Sequence, residues 1–378
     1  MFKHEVLAVM LCGPGRASHA IEALESVDWV DGILLIDTAD GENDTLDAVV
    51  ASGITTPIEV VKKCFSPCRN FGVMRSFAID SARDAGADWM LIIDTDEVMH
   101  WGDTSPRHIL RGAKSPVVNN RHLETGYMKN RFIRVSDTQA KYVGLTHEYL
   151  EVIPRCFPVI IDEWRFSEKA KSREELDYKF SRDFELLEEQ IEMSTGSSSV
   201  DVEAKISTCQ DPMIGRWLYY YAECSRYLGH PTSRVVSFHR LSADAEKHPE
   251  NSAWSLWQIG QLYWCEYDRE QNKDRRERLL EKAKGAALEA LGKFPQSESA
   301  WLLARIAYET NGRQVALPYA RAALEIDSSA YRMSFRAKEA LAWTHDLLLW
   351  IGHPDDIESS SAYLRSIGRI SRAPAFKS

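Results

Sequence analysis

The stretch Asp88–His100, DWMLIIDTDEVMH, sets five apolar residues, Trp89 to Ile93, directly before three acids in four positions, Asp94, Asp96 and Glu97. A short apolar run bounded by polar residues reads as a strand entering a core. Two carboxylates one residue apart at a strand end repel each other, and a cation between them removes that conflict. A hard divalent ion takes such oxygens. A solvated turn or a helix N-terminus also accommodates them. What precedes the stretch decides between these readings.

Upstream, strand-like and helix-like segments alternate. EVLAVMLC (5–12), GILLID (32–37), PIEVVKK (57–63) and WMLIID (89–94) read as strands. ASHAIEALESV (17–27), NDTLDAVVAS (43–52) and RNFGVMRSFAIDSARDAG (69–86) read as helices. Asn43 or Asp44 would cap the second helix, and Gly86 would close the third. Apolar strands alternating with helices imply a parallel sheet covered on both faces. Ligands in such sheets bind beyond the strand carboxyl ends. Cys12–Gly13, Asp37 and Asp94–Asp96 all fall at such ends, so the acids stand at a binding mouth.

The second half changes period. SREELDYKFSRDFELLEEQIEM (172–193) is an acidic amphipathic helix, and STGSSSVD (194–201) is a flexible break. From Pro212 onward the chain reads as helical hairpins. RWLYYYAECSRYLG (216–229), AWSLWQIGQLYW (253–264) and AWLLARIAYETNG (300–312) align as first helices, each followed by a partner. AKEALAWTHDLLLWIG (337–352) with SAYLRSIG (361–368) forms a fourth pair. Trp217 to Trp254 spans 37 residues and Trp254 to Trp301 spans 47, a difference assigned to the charged insert CEYDREQNKDRRER (265–278). Such hairpins stack, with their Trp and Tyr residues mostly in the core. The expected organisation is an α/β domain over 1–165, a helical connector over 166–212, repeats over 213–350, and a C-terminal helix and tail over 351–378.

Composition narrows the function. The chain has 378 residues and a net charge of −10, which argues against a general nucleic-acid binder. Charge is uneven: Arg107 to Lys141 holds eight basic residues against two acids, a local +6, while residues 1–61 hold two against eleven, a local −9. Seven scattered cysteines suit free thiols and a cytoplasmic setting, and Cys64 with Cys68 is too sparse a pair for a metal site. No apolar run reaches the length of a membrane span. The start, MFKHEVLAVMLCGPG, reads as a first strand rather than a signal peptide.

The motifs IDTADGENDT (36–45), CRN (68–70), WMLIIDTDE (89–97) and THE (146–148), in that order, resemble the GT-A-fold glycosyltransferases of the large, mostly inverting family two. The similar subgroup carries C-terminal tetratricopeptide-like (TPR-like) repeats, as in peptide S-glycosyltransferases. The resemblance implies an α/β GT-A domain, Rossmann-like with a mostly parallel sheet, followed by an all-α repeat domain. It implies transfer of a sugar from a nucleotide-sugar donor, a UDP-sugar, with Mn²⁺ or Mg²⁺. Leu11, Gly13, Asp37, Arg69, Asp94 and Thr95 would contact the donor, with Asn70 supporting the Arg69 loop. Asp96, with Asp94 and His147, would hold the metal. Glu148 is the first candidate for the base that activates the acceptor, Asp162 the second and Glu97 the third. Cations of the 107–141 patch would stabilise charge on the departing diphosphate. The acceptor would be a macromolecule: a peptide or protein, a glycan, or modified DNA met through the basic patch. The repeats would hold that acceptor or a second copy of the chain. Two departures stand out. CGPGR (12–16) replaces the family's Asn-Glu after the first strand, and one extra residue separates Asp37 from Asp44. GPGR partly echoes a nucleotidyltransferase loop, which keeps that activity as an alternative. A non-catalytic repeat adaptor is the other.

Overall fold

The computed structural model describes residues 4–63, 70–123, 127–136, 138–196, 205–326 and 337–367. They form two compact units, Met1–Lys179 and Phe180–Ser378.

The first unit opens as the alternation predicts: β1 (His4–Cys12), α1 (Ala17–Glu25), β2 (Gly32–Asp37), α2 (Asp44–Ala51), β3 (Ile58–Lys62), α3 (Phe71–Asp84) and β4 (Ala87–Ile92). These four strands pair in parallel in the order β3-β2-β1-β4. Alternate side chains of β1 go to opposite faces. Val6, Ala8 and Met10 pack with Leu24 of α1, and Leu7 and Val9 pack with Ala78 and Ile79 of α3. Both faces of β1 are therefore covered, which is why its run Val6–Met10 is apolar.

The other half of the sheet departs from a mostly parallel arrangement. It consists of β5 (Glu97–His100), β6 (Val117–His122), β7 (Met128–Arg134) and β10 (Val159–Glu168), with α4 (Pro106–Gly112) between β5 and β6. The full order is β3-β2-β1-β4-β7-β6-β10-β5. β7 runs antiparallel to both β4 and β6, and β5 runs antiparallel to β10. The sheet is mixed because β4 is followed by a short connection and an edge strand, not by another helical crossover. A separate antiparallel ribbon pairs β8 (Gln139–Val143) with β9 (Tyr149–Ile153).

Helix α5 (Arg173–Thr195) opens on a capping box: the Ser172 hydroxyl accepts from Glu175 N at 3.2 Å, and Glu175 accepts from Ser172 N at 2.7 Å. In the second unit, helices 214–227 and 232–245, 249–269 and 273–293, 297–311 and 313–325, and 337–351 and 354–366 follow one another as hairpins. One apolar cluster joins Trp254 and Trp257 to Ala283, Ala287 and Leu302; a second joins Ala304 and Ala307 to Ala316 and Leu348. The core thus passes from hairpin to hairpin, with Trp217, Trp257 and Tyr221 fully buried. The charged segment 265–278 does account for the longer interval. It lengthens two helices to 21 residues each, leaving Glu270–Asn272 as the turn. Among the described residues no helix is long and apolar enough to cross a membrane, and five cysteines are free thiols.

Candidate functional site

Four elements converge where β4 ends. Asp94, Thr95 and Asp96 lie in the turn between β4 and β5, and Glu97 opens β5. Asp94 Oδ1 accepts from Arg75 of α3 at 2.8 Å, and its Oδ2 accepts from Arg131 of β7 at 3.2 Å. Glu97, only 1 % exposed, pairs with Arg131 and with Lys129, the latter at 2.7 Å. Residues two apart share one face of a strand, and β7 also carries a register shift here. Val118 pairs with Phe132 and Asn119 with Asn130, so Arg131 is the extra residue of a bulge in β7. Beside this bulge, Lys129 and Arg131 both reach the Glu97 carboxylate. Burial opposes ionisation of Asp94, but Arg75, Arg131 and Lys129 outweigh it and hold that carboxyl far below its ordinary range.

The network extends outward. Lys129 also pairs with Glu168 at the end of β10, which accepts from the Tyr127 hydroxyl. Burial raises the Glu168 carboxyl, yet Lys129 dominates and draws it down to about 2. The sign follows from the unfolded value of about 4.5. A depressed carboxyl contributes its stability above the unfolded value and loses it as pH falls through the folded one. Stability is therefore expected to drop between pH 4.5 and pH 2, and Glu168→Gln is expected to flatten that slope in urea titrations. Asp96 pairs with Lys171, just beyond β10.

Glu148 faces this cluster from the turn between β8 and β9. Arg75 Nε lies 2.5 Å from its Oε1, so one guanidinium joins Asp94 and Glu148. The Arg75 guanidinium also lies 5.7 Å from the centre of the Tyr142 ring, whose hydroxyl burial pushes up to about 12. The turn is pinned to the start of α3: Phe71 N donates to Leu145 O at 2.9 Å, and Gly72 N donates to Gly144 O at 3.1 Å. His147 sits in this turn at φ +48°, a left-handed conformation that costs a non-glycine residue about 1–2 kcal/mol. Gly72 is required by the close approach. A Cβ there would meet Gly144 O at 2.5 Å and Tyr142 O at 3.1 Å, both backbone atoms. Gly72→Ala is expected to lower stability by about 1–3 kcal/mol in thermal unfolding, by forcing the β8–β9 turn away from α3.

The remaining candidates divide. Asp37, 4 % exposed, spends Oδ1 on Ala39 N at 3.1 Å and Asn43 Nδ2 at 2.8 Å, while Lys62 stands 3.8 Å from Oδ2. Asn43 is the cap of α2, accepting from Leu46 N. Leu11 is partly buried against the α3-side core at the end of β1. Gly13 follows in the loop whose Gly15 N–H donates to Asp44 and Arg16 N–H to Thr45, each at 2.7 Å. Thr95 is half-buried between the two Asp residues. Asn70 caps α3 by accepting from Val73 N at 2.9 Å. Arg69 lies outside the described residues, and so does the side chain of Asp162, a residue of β10. Asp94, Asp96 and His147 are not gathered as a three-ligand set; among the described residues no three His, Cys, Asp or Glu side chains form one.

Sequence reasoning missed Arg75, which lies within an ordinary amphipathic helix and carries no motif of its own. Lys129 and Arg131 were visible only as members of the basic patch. Other members of that patch serve elsewhere: Arg107 pairs with Asp31 at 2.6 Å, and Arg111 with Glu5 at 2.5 Å.

No family model and no curated protein matches the sequence. Among solved structures, the chain is similar to a thermophilic TPR protein of Thermus thermophilus, at 14 % identity and a TM-score of 0.33, over 49 % of this chain and 90 % of that one.

Proposed function

We propose that the first unit is a GT-A-type glycosyltransferase domain that transfers a sugar from a nucleotide-sugar donor, a UDP-sugar, to a macromolecular acceptor. The observation that carries this reading is the charge cluster at the mouth of β4. Asp94, Asp96, Glu97, Glu148 and Glu168 face Arg75, Lys129, Arg131 and Lys171, five acids against four bases. A site so nearly neutral has little attraction for a bare diphosphate dianion. It suits a diphosphate that arrives with its charge balanced by a divalent cation.

The donor set fits such an ion on limited terms. Magnesium keeps several waters and takes one or two carboxylates beside substrate phosphates. Asp96, 22 % exposed at its side chain and paired with Lys171 alone among the described residues, is the residue that would take it. Both Asp94 oxygens accept from guanidinium groups, which suits Asp94 to holding Arg75 and Arg131 in place. A bound divalent cation would supply Lewis-acid stabilisation of the leaving diphosphate. The basic side chains around it add preorganised positive charge. Glu148 is the base for the acceptor, aimed by Arg75, and Asp162 is the alternative. The helical hairpins offer an extended surface for a peptide, protein or glycan acceptor.

A nucleotidyltransferase is the weaker reading. Its loop would cradle phosphate with backbone N–H groups, and those of Gly15 and Arg16 are already donated to Asp44 and Thr45. Incubation of the full chain with a panel of sugar nucleotides and Mn²⁺ tests the proposal. Release of a nucleoside diphosphate is the expected result. Release of inorganic diphosphate, or no turnover and no binding across the panel, would overturn it.

A further inference from the structure

We infer that residues 169–175 form a strap that Lys171 fastens onto Asp96, and that Lys171 and a divalent cation exclude each other at that carboxylate. The inference rests on the proposed reading that Asp96 takes the cation.

The strap joins β10 to α5 and is tied down along its length. Lys169 N donates to Asp96 O at 2.9 Å, and the Lys169 ammonium pairs with Glu22 of α1. Lys171 pairs with Asp96 Oδ2. Glu175, besides closing the capping box with Ser172, accepts from Arg16 in the loop after β1. The strap is thus anchored on the loops that follow both β1 and β4.

Lys171 differs from the other cations of the site in where it sits. Arg75 lies on a helix, and Lys129 and Arg131 lie on an interior strand. Arg131 and Glu97 are 2 % and 0 % exposed at their side chains, so separating them would leave a buried charge bare. Lys171 and Asp96 are 24 % and 22 % exposed, and Lys171 rides on a connecting segment. Water can reach both ends of this pair, so it can open without stranding either charge. An ammonium in contact with a carboxylate oxygen also occupies the place of a cation and repels one. Lys171 therefore stands in for the metal, and metal binding is linked to release of the strap. Linkage is reciprocal: whatever loosens the strap tightens metal binding by the same factor.

The test is Mn²⁺ binding to the full chain, followed by electron paramagnetic resonance, with and without UDP. Without nucleotide, Lys171→Met is expected to bind Mn²⁺ about tenfold more tightly than the parent. Lys171→Arg is expected to match the parent. Lys169→Met removes the same charge from the strap and is expected to stay within about twofold, because it does not touch the carboxylate. Hydrogen exchange at residues 169–175 is expected to speed up in Lys171→Met, and in the parent once Mn²⁺ and UDP are added. If Lys171→Met binds Mn²⁺ no better than the parent, or Lys169→Met matches its gain, the strap is refuted. The proposed function survives that outcome provided the parent with UDP binds Mn²⁺ and Asp96→Asn does not. If no form binds Mn²⁺ with or without UDP, both fall together.

Discussion

Arg131→Met is expected to lower the unfolding free energy by about 3–5 kcal/mol, the cost of removing one partner of a buried ion pair. That is a large share of the roughly 5–15 kcal/mol typical of a folded domain. Arg131 is 2 % exposed and touches both Asp94 and Glu97. Without it, among the described residues Glu97 keeps Lys129 and the Asp94 backbone N–H, the latter at 3.3 Å. The cost comes mostly from the stranded carboxylate. Arg131→Met combined with Glu97→Gln should therefore recover a substantial part of it in urea unfolding, a coupling that distant sites do not show. If the double variant is as unstable as the sum of the singles, Arg131 acts through packing against Phe166, 5.4 Å away, and not through charge.

Glu148→Gln is expected to reduce the turnover number for transfer by about 10²–10⁴-fold, the usual contribution of a positioned base. The donor KM should hardly move, because in the proposed reaction the residue acts on the acceptor. Stability should also hold: the carboxylate is 14 % exposed at its side chain, and Arg75 retains Asp94 at 2.8 Å. A thiol acceptor would shrink the effect, because a thiolate forms with little help. Full activity of Glu148→Gln toward a hydroxyl acceptor would remove it from the base role and direct attention to Asp162.

How far the fold was readable follows from what each strand must do. β1, β2 and β4 are buried on both faces, so their residues are apolar in unbroken runs and their parallel order follows from the helices between them. β6 and β7, VVNNRH and MKNRFIR, are equally interior, but β6 buries Asn120 and β7 carries Lys129 and Arg131 to the charge cluster. Polar side chains at core positions erase the pattern that identifies a strand, and a bulge at Arg131 shifts the period that remains. The mixed half of the sheet was therefore hidden by the side chains that build the candidate site. Asp94, Asp96 and Glu148 were legible because they end a clear strand or sit in a recognisable short motif. Arg75, which joins Asp94 to Glu148, was not, since one arginine in an amphipathic helix looks like surface. The hairpins were legible from their aromatic first helices. Their unequal spacing comes from the charged segment 265–278, which lengthens one pair of helices to 21 residues each.

In the proposed function Asp96 is the residue that would meet a cation carrying a diphosphate. Crystals soaked with Mn²⁺ and UDP, measured at a wavelength where manganese scatters anomalously, address that directly. The predicted result is a manganese peak bridging the Asp96 carboxylate and the diphosphate, with Lys171 withdrawn. Diphosphate bound elsewhere, or bound at the mouth of β4 while Asp96 remains paired with Lys171, would contradict it.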